Sequence, residues 1–226
     1  MIIKGYSSTR QVYEDPEIID GYVTRNVMSP DQIDLIEKFC AMVEGTKILD
    51  LGCGPGRDAQ ALNQRGMSVT GLDLSNEMIK RATALSYTDP QPIFVVGSML
   101  DLETQFEANE FDGIWASASL LHLDKSDVPA VLQGIRKVTK SKAVVMISLK
   151  AGQGTKMVKE DKYGKEMERQ FSFWEKDEFL KVTEANGFEL MDYISKMRTI
   201  EQTTEWHTFF FKVIHEENTI LVSKAK

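Results

Sequence analysis

Residues 48–58 constrain this chain more than any other stretch. Ile48-Leu49-Asp50-Leu51 reads as an apolar strand, Gly52, Gly54 and Gly56 follow at alternate positions, and a helix that Asp58 can cap leaves the segment. Glycine lets a backbone turn sharply and approach a ligand closely, because it carries no Cβ. A strand, a glycine turn and a helix N-terminus together make a nucleotide-type site in an α/β sheet. The dinucleotide fingerprint is G-x-G-x-x-G. Here the third glycine comes one residue early, which tightens the loop and leaves less room for a pyrophosphate.

The elements around this loop alternate. Ser29, Pro30 and Gln32 form a capping-box pattern before a helix bearing Ile33, Ile36, Phe39, Cys40 and Val43, closed by Gly45. Strands are expected at 47–50, 68–73, 93–96, 111–117 and 143–149. The helices between them start near Asp58, after Ser75, and at the Val128, Val131, Leu132, Ile135, Val138 stripe. The run 143–149 is almost continuously apolar, the mark of a strand buried on both faces. Strand–helix alternation predicts a doubly wound parallel sheet. Beyond Lys150 the pattern changes. Residues 156–169 are charged and weakly periodic, 175–186 read as a helix, and 188–194 and 206–213 read as two strands. The link between those strands is too short for a helical crossover, so they are expected to pair antiparallel.

Composition narrows the function. The 226 residues suit one domain, and a formal charge of −7 argues against a nucleic-acid partner. Two cysteines, Cys40 and Cys53, supply neither a disulfide framework nor a CxxC metal pair, so no metal site is expected. No apolar leader or membrane-length run is visible, so a cytoplasmic chain is expected.

Asp73 ends the second strand, where a carboxylate can accept hydrogen bonds from both hydroxyls of a ribose. The alternative is a turn aspartate, although Ser75 already serves as the cap. Ser98 and Met99 follow the third strand, where a polar group can meet an adenine edge and a thioether can pack on its face. They could equally belong to a plain connecting loop.

Four segments together resemble the class I S-adenosylmethionine-dependent methyltransferases of small-molecule type. They are residues 49–56, 71–75, 97–99 and 111–117. The resemblance implies a Rossmann-like α/β fold with seven strands, helices on both faces, and an antiparallel last strand inserted beside the fifth. It also implies the cofactor S-adenosylmethionine. Gly52, Cys53, Gly54 and Gly56 would face its methionine part, Asp50 its amino group and Asp73 its ribose. Leu74, Ser98 and Met99 would lie by adenine, and Ala116 would offer a backbone carbonyl. The family's more usual residue at the Ser98 position is acidic. The implied division is an N-terminal arm or lid over 1–45, a cofactor core over 46–150, a substrate-side insertion over 151–175, and a C-terminal helix with antiparallel strands over 176–226, all within one domain.

His122, just after the fourth strand, is the best candidate in the chain for a general base, although packing or capping the following helix is the more ordinary role for a histidine there. Tyr13 and Tyr22 are lid candidates, since an aromatic face favours a sulfonium, and they could equally be ordinary packing residues of an N-terminal arm. Tyr13, Lys150, Arg169 and Trp174 are expected to line the acceptor's side, and Arg169 could take a carboxylate or phosphate. The expected function is methyl transfer to a small, possibly anionic molecule. The alternatives are a cofactor-binding sensor or partner subunit without catalysis, and a tRNA or protein methyltransferase.

Overall fold

The computed structural model describes residues 9–162, 165–197 and 205–215. The strands are β1 (Lys47–Leu51), β2 (Ser68–Asp73), β3 (Ile93–Val96), β4 (Phe111–Ser117), β5 (Thr139–Lys150), β6 (Thr155–Lys162), β7 (Lys165–Ser172), β8 (Phe188–Met197) and β9 (Glu205–Val213). The helices are α1 (Pro16–Arg25), α2 (Pro30–Met42), α3 (Arg57–Asn63), α4 (Asn76–Thr83), α5 (Leu102–Gln105), α6 (Val128–Val138) and α7 (Lys176–Ala185). Seven strands form one sheet in the order β3-β2-β1-β4-β5-β9-β8, and β6 and β7 pair separately as a hairpin. β1 to β5 pair in parallel, while β9 is antiparallel to both β5 and β8. The seven-stranded sheet with its inserted antiparallel last strand is therefore observed as expected.

Period-two alternation divides the core between the two faces of the sheet. Leu49, Leu51, Val145, Ile147, Leu149, Phe209 and Phe211 join α6 and α7 in one apolar cluster. Ile48, Val144, Met146 and Phe210 join α2 and α3 in the other. With both faces covered, the central strands have no solvent side, which is why β5 is apolar at nearly every position from Ala143 to Leu149.

Several local expectations change. The stretch before Ser29 is not merely polar chain. Asp15 caps α1 by accepting from the Glu17 and Ile18 amides, with Pro16 in the first turn, the same device that starts α2. Ser29 caps α2 through the Gln32 amide, but the Gln32 side chain crosses to Asp58 and Ser117 instead of closing a capping box. α2 ends at Met42 rather than at Gly45. Asp58 does not cap α3. Gly56, left-handed at φ 86°, is the N-cap, and the Asp58 carboxylate is buried. The charged insertion after Lys150 is the β6–β7 hairpin. Residues 1–8 and 216–226 lie outside the described residues, and so do the parts of the expected arm and C-terminal segment that fall there. No described helix is long and apolar enough to cross a membrane.

Candidate active site

The carboxyl ends of β1, β2 and β4 open into two adjoining clefts, the position at which open α/β sheets bind ligands. With their mouths included they hold about 760 Å³ and about 1160 Å³. They meet at Gly52, Gly54, Tyr22 and Ser117.

The loop between them owes its shape to backbone conformation. Gly52 has φ 78°, and a Cβ there would lie 2.4 Å from the Cβ of Ser119. Gly54 has φ 53° with nothing within 4 Å of where its Cβ would be, so its backbone faces open space. The Gly54 amide donates to Asp73 Oδ2 and the Ser75 amide to Asp73 Oδ1, each at 2.9 Å. Those two bonds aim the carboxylate into the first cleft and leave lone pairs for a ligand. Leu74, Met78 and Met99 line that cleft beside it.

Asp50 lies on the wall of the second cleft. It is buried, and its Oδ2 has no hydrogen-bond partner. Burial holds the Asp50 carboxyl well above the usual carboxylate range, and the charges of Asp58 and Asp73 push it further the same way. Burial likewise raises Asp73, against the pull of the backbone amides. A cation entering here relieves both groups. The orphaned Asp50 oxygen, the open Gly54 backbone and the twice-anchored Asp73 therefore fit a ligand that pairs positive charge with a ribose. Cys53 lines the second cleft with a buried thiol whose burial raises it well above the usual range, so it acts as a neutral wall.

The remaining expected cofactor residues are placed differently. Gly56 lines neither cleft; a Cβ there would lie 2.9 Å from that of Ala82, so it permits α3 and α4 to pack. Ser98 turns its hydroxyl to the Leu100 amide at 3.1 Å and caps the next turn. Ala116 is fully buried inside β4, and Ser117, Ala118 and Ser119 form the edge instead. Ala118 has φ 57°, and its amide donates to Ser148 Oγ at 2.9 Å, which holds this unusual turn. Ser119 is buried, and its hydroxyl has no partner. The run of small residues after β4 is the signal that could have identified this edge. Arg57, which the sequence reading did not single out, lies on the second cleft and donates to Asp58 Oδ1 at 2.7 Å. Asp58 also accepts the Trp115 indole N–H at 2.9 Å and the Gln32 amide at 2.8 Å.

His122 and Tyr13 stand on the first cleft, and Tyr22 borders both. His122 Nδ1 lies 3.0 Å from the Gln170 carbonyl, which can only accept, so Nδ1 carries the proton and Nε2 keeps a lone pair. Enclosure drives the His122 imidazole down to about 3, with Arg169 and Lys150 adding to the effect and the Gln170 carbonyl opposing it. The ring is therefore neutral at physiological pH, an acceptor at Nε2 rather than a strong base.

The three other expected acceptor residues do not reach the clefts. Trp174 is in the core, 5.2 Å from the Phe179 ring, because α7 folds over it. Lys150 Nζ sits 3.6 Å over the Phe171 ring. Arg169 is buried in the hairpin, ion-paired with Glu160, and donates to the Tyr13 hydroxyl at 2.6 Å. Val158 is directly opposite Arg169 in the register, so Glu160 is its diagonal neighbour on the same face. No cluster of three potential metal-ligating side chains occurs among the described residues.

Comparison with known proteins agrees with this geometry. Residues 48–142 match the model of a family described as a methyltransferase domain. An uncharacterized methyltransferase of Synechocystis sp. is 34% identical over 100 residues, covering 44% of this chain and 45% of that protein. An O-methyltransferase of Aspergillus sclerotiorum is 37% identical over 98 residues, covering 42% of this chain and 36% of that one. The matches thus span less than half the length of these two relatives. The solved 1,6-didemethyltoxoflavin-N1-methyltransferase of Burkholderia thailandensis, with S-adenosylhomocysteine bound, superposes with a TM-score of 0.70 at 18% identity, covering 93% of this chain and 87% of that one. At that identity the likeness speaks to the fold.

Proposed function

We propose that this chain, whose residues 48–142 match a methyltransferase-domain family, is an S-adenosylmethionine-dependent enzyme that transfers a methyl group to a hydroxyl oxygen of a small molecule. The observation that carries this is the acidic floor beside the glycine loop, where Asp50 keeps an unpartnered oxygen and Asp73 is held by two backbone amides. When bound, S-adenosylmethionine supplies a methyl group already activated on a sulfonium. The protein's work is then binding, alignment and exclusion of water.

In this reading Asp73 receives the ribose hydroxyls, Leu74 and Met99 flank the adenine, and Asp50 faces the ammonium. The backbone of Gly52 and Gly54 permits close approach. On the acceptor's side, His122 Nε2 would take a hydrogen bond from the incoming hydroxyl, orient its oxygen lone pair toward the methyl carbon, and receive the hydroxyl proton as the ether forms, because even a weakly basic imidazole is far more basic than an alkylated hydroxyl oxygen. Ser119 offers a second polar contact. The O-methyltransferase among the relatives supports oxygen as the attacking atom. An anionic group on the acceptor draws support from Arg10, which lines the first cleft and pairs with Glu14 at a long 3.8 Å, rather than from Arg169, which is buried against Glu160.

The test is a screen of hydroxylated metabolites with methyl-labelled cofactor, preceded by calorimetric titration with S-adenosylhomocysteine. Binding with stoichiometry near one and a labelled methyl ether are the expected results. Binding without labelled product from any acceptor would favour the sensor reading, and no binding would overturn both.

A further inference from the structure

Resting on that reading, we propose that the phenol of Tyr13 is a removable plug in the acceptor's seat. The acceptor is a planar ring bearing a hydroxyl that takes over the plug's two contacts, with Arg169 and His122. The direction of each bond defines the seat. A guanidinium has donors only, so Arg169 Nη1 gives its proton to the Tyr13 oxygen at 2.6 Å. His122 Nε2 carries the lone pair, so the Tyr13 proton points to it, at 3.4 Å. A group in this place must accept from one side and donate to the other, which is what a hydroxyl does. The second distance is long for an O–H···N bond, so Tyr13 fits the seat loosely.

The seat has aromatic walls and does not depend on Tyr13. Phe171 packs 4.9 Å from the His122 ring centroid, and Arg169 lies 5.0 Å over the Phe171 ring. Tyr22 meets Tyr13 edge-on at 6.1 Å. Arg169 is only 6% exposed and is fixed by Glu160, yet its Nε–H has no partner. The Ser119 hydroxyl, on the cleft that Tyr13 and His122 line, is also buried without one. Tyr13 leaves both unsatisfied, so an acceptor with a second oxygen would gain from any of these donors it reaches. Tyr13 itself sits five residues before the buried Ile18 and Ile19 of α1, on a stretch that polar links tie to the body. Ser75 Oγ donates to its carbonyl at 2.5 Å, Thr9 Oγ accepts from the Gln170 amide at 3.2 Å, and Lys165 pairs with Asp15 at 2.8 Å. Such a segment opens at less expense than one anchored in the core.

The experiment titrates phenol and toluene into wild type, Tyr13→Ala and Tyr13→Phe, with and without S-adenosylhomocysteine, by calorimetry or ligand-observed NMR. Tyr13→Ala is expected to bind phenol about tenfold more tightly than wild type, with a clearly smaller gain for toluene. Adding Arg169→Gln to that variant is expected to erase the phenol advantage. Tyr13→Phe keeps the ring but gives up both hydroxyl contacts, so phenol should compete several-fold better than in wild type. This second variant carries the test if Tyr13→Ala does not fold. Unchanged phenol affinity in both variants, or an equal gain for toluene, overturns the plug. Loss of S-adenosylhomocysteine binding by wild type overturns the methyl-transfer reading instead, and the titrations without it keep the two failures apart.

Discussion

Two regions meet at this site and are built on different principles. The glycine loop, with Asp50 and Asp73, is defined by backbone: left-handed glycines, a strand end and two amide donors that aim a carboxylate. The hairpin of β6 and β7, with the N-terminal segment over it, is defined by side chains reaching across sequence: Glu160 to Arg169, Arg169 to Tyr13, Tyr13 to His122. A backbone site tolerates few residue types, because φ and close approach dictate them. A side-chain site can be rebuilt from many combinations. The family match ends at residue 142, before the hairpin begins, which is what this contrast leads one to expect. The backbone region falls inside the stretch that matches the family, and in the proposed reading the side-chain region chooses the acceptor.

Breaking each region separately sharpens the contrast. The largest effect is expected from Gly52→Ala, which combines a left-handed φ of 78° with a Cβ 2.4 Å from that of Ser119. Backbone strain and overpacking together should cost about 3 kcal/mol of stability, seen in thermal or denaturant unfolding, and cofactor binding should be lost. Next comes Asp73→Ala. Losing charge-assisted bonds to two hydroxyls should weaken S-adenosylhomocysteine by about 2 kcal/mol in calorimetry, roughly thirtyfold, while phenol binding to Tyr13→Ala stays as it was. The reciprocal variant is Glu160→Gln. It leaves Arg169 buried with an uncompensated charge, for about 1–2 kcal/mol of stability after allowing for the partial exposure of Glu160. Its S-adenosylhomocysteine affinity should stay within about twofold. A large loss of cofactor affinity in Glu160→Gln would show that the two regions are one coupled unit.

The same contrast explains what the sequence disclosed. The glycine loop, the Asp73 strand end and the Ser75 cap were legible because each is a local backbone requirement with a narrow residue choice. Asp15-Pro16-Glu17 carried as clear a helix-start signal as Ser29-Pro30, but α1 passed unnoticed behind the polar residues around it. The hairpin was obscured because its strands carry lysines and glutamates on the exposed face, which masks the buried Met167, Arg169 and Phe171 alternation. Ala116 fell short of the clefts because β4 continues to Ser117 before the chain turns at Ala118. By residue type alone Trp174 and Arg169 suit a pocket. Only the fold could show that α7 covers one and that Glu160 and Tyr13 hold the other.

The subtlest prediction concerns Asp50 and pH. Its carboxyl is raised well above the ordinary range by burial first, then by the charges of Asp58 and Asp73. In the unfolded chain it titrates near the usual value of about 4. Between those two values the folded protein holds a proton that the unfolded chain has released, so stability falls as pH rises. The stabilising contribution of Asp50 is therefore fully present below about pH 4 and is lost as pH rises through its raised folded value. Cofactor binding is expected to run the other way, because in the proposed reading the ammonium pairs with the ionised carboxylate and acid removes that partner. Other carboxylates shift in the opposite sense, Asp112 among them, so the comparison is wild type against the isosteric Asp50→Asn. Subtracting the variant should leave a stability difference that declines with rising pH and an S-adenosylhomocysteine affinity difference that grows with it, by a few-fold across the window. Parallel trends in the two differences would mean that Asp50 does not face the cation. The acidic floor would then be a packing feature of β1 rather than the seat of the cofactor's charge.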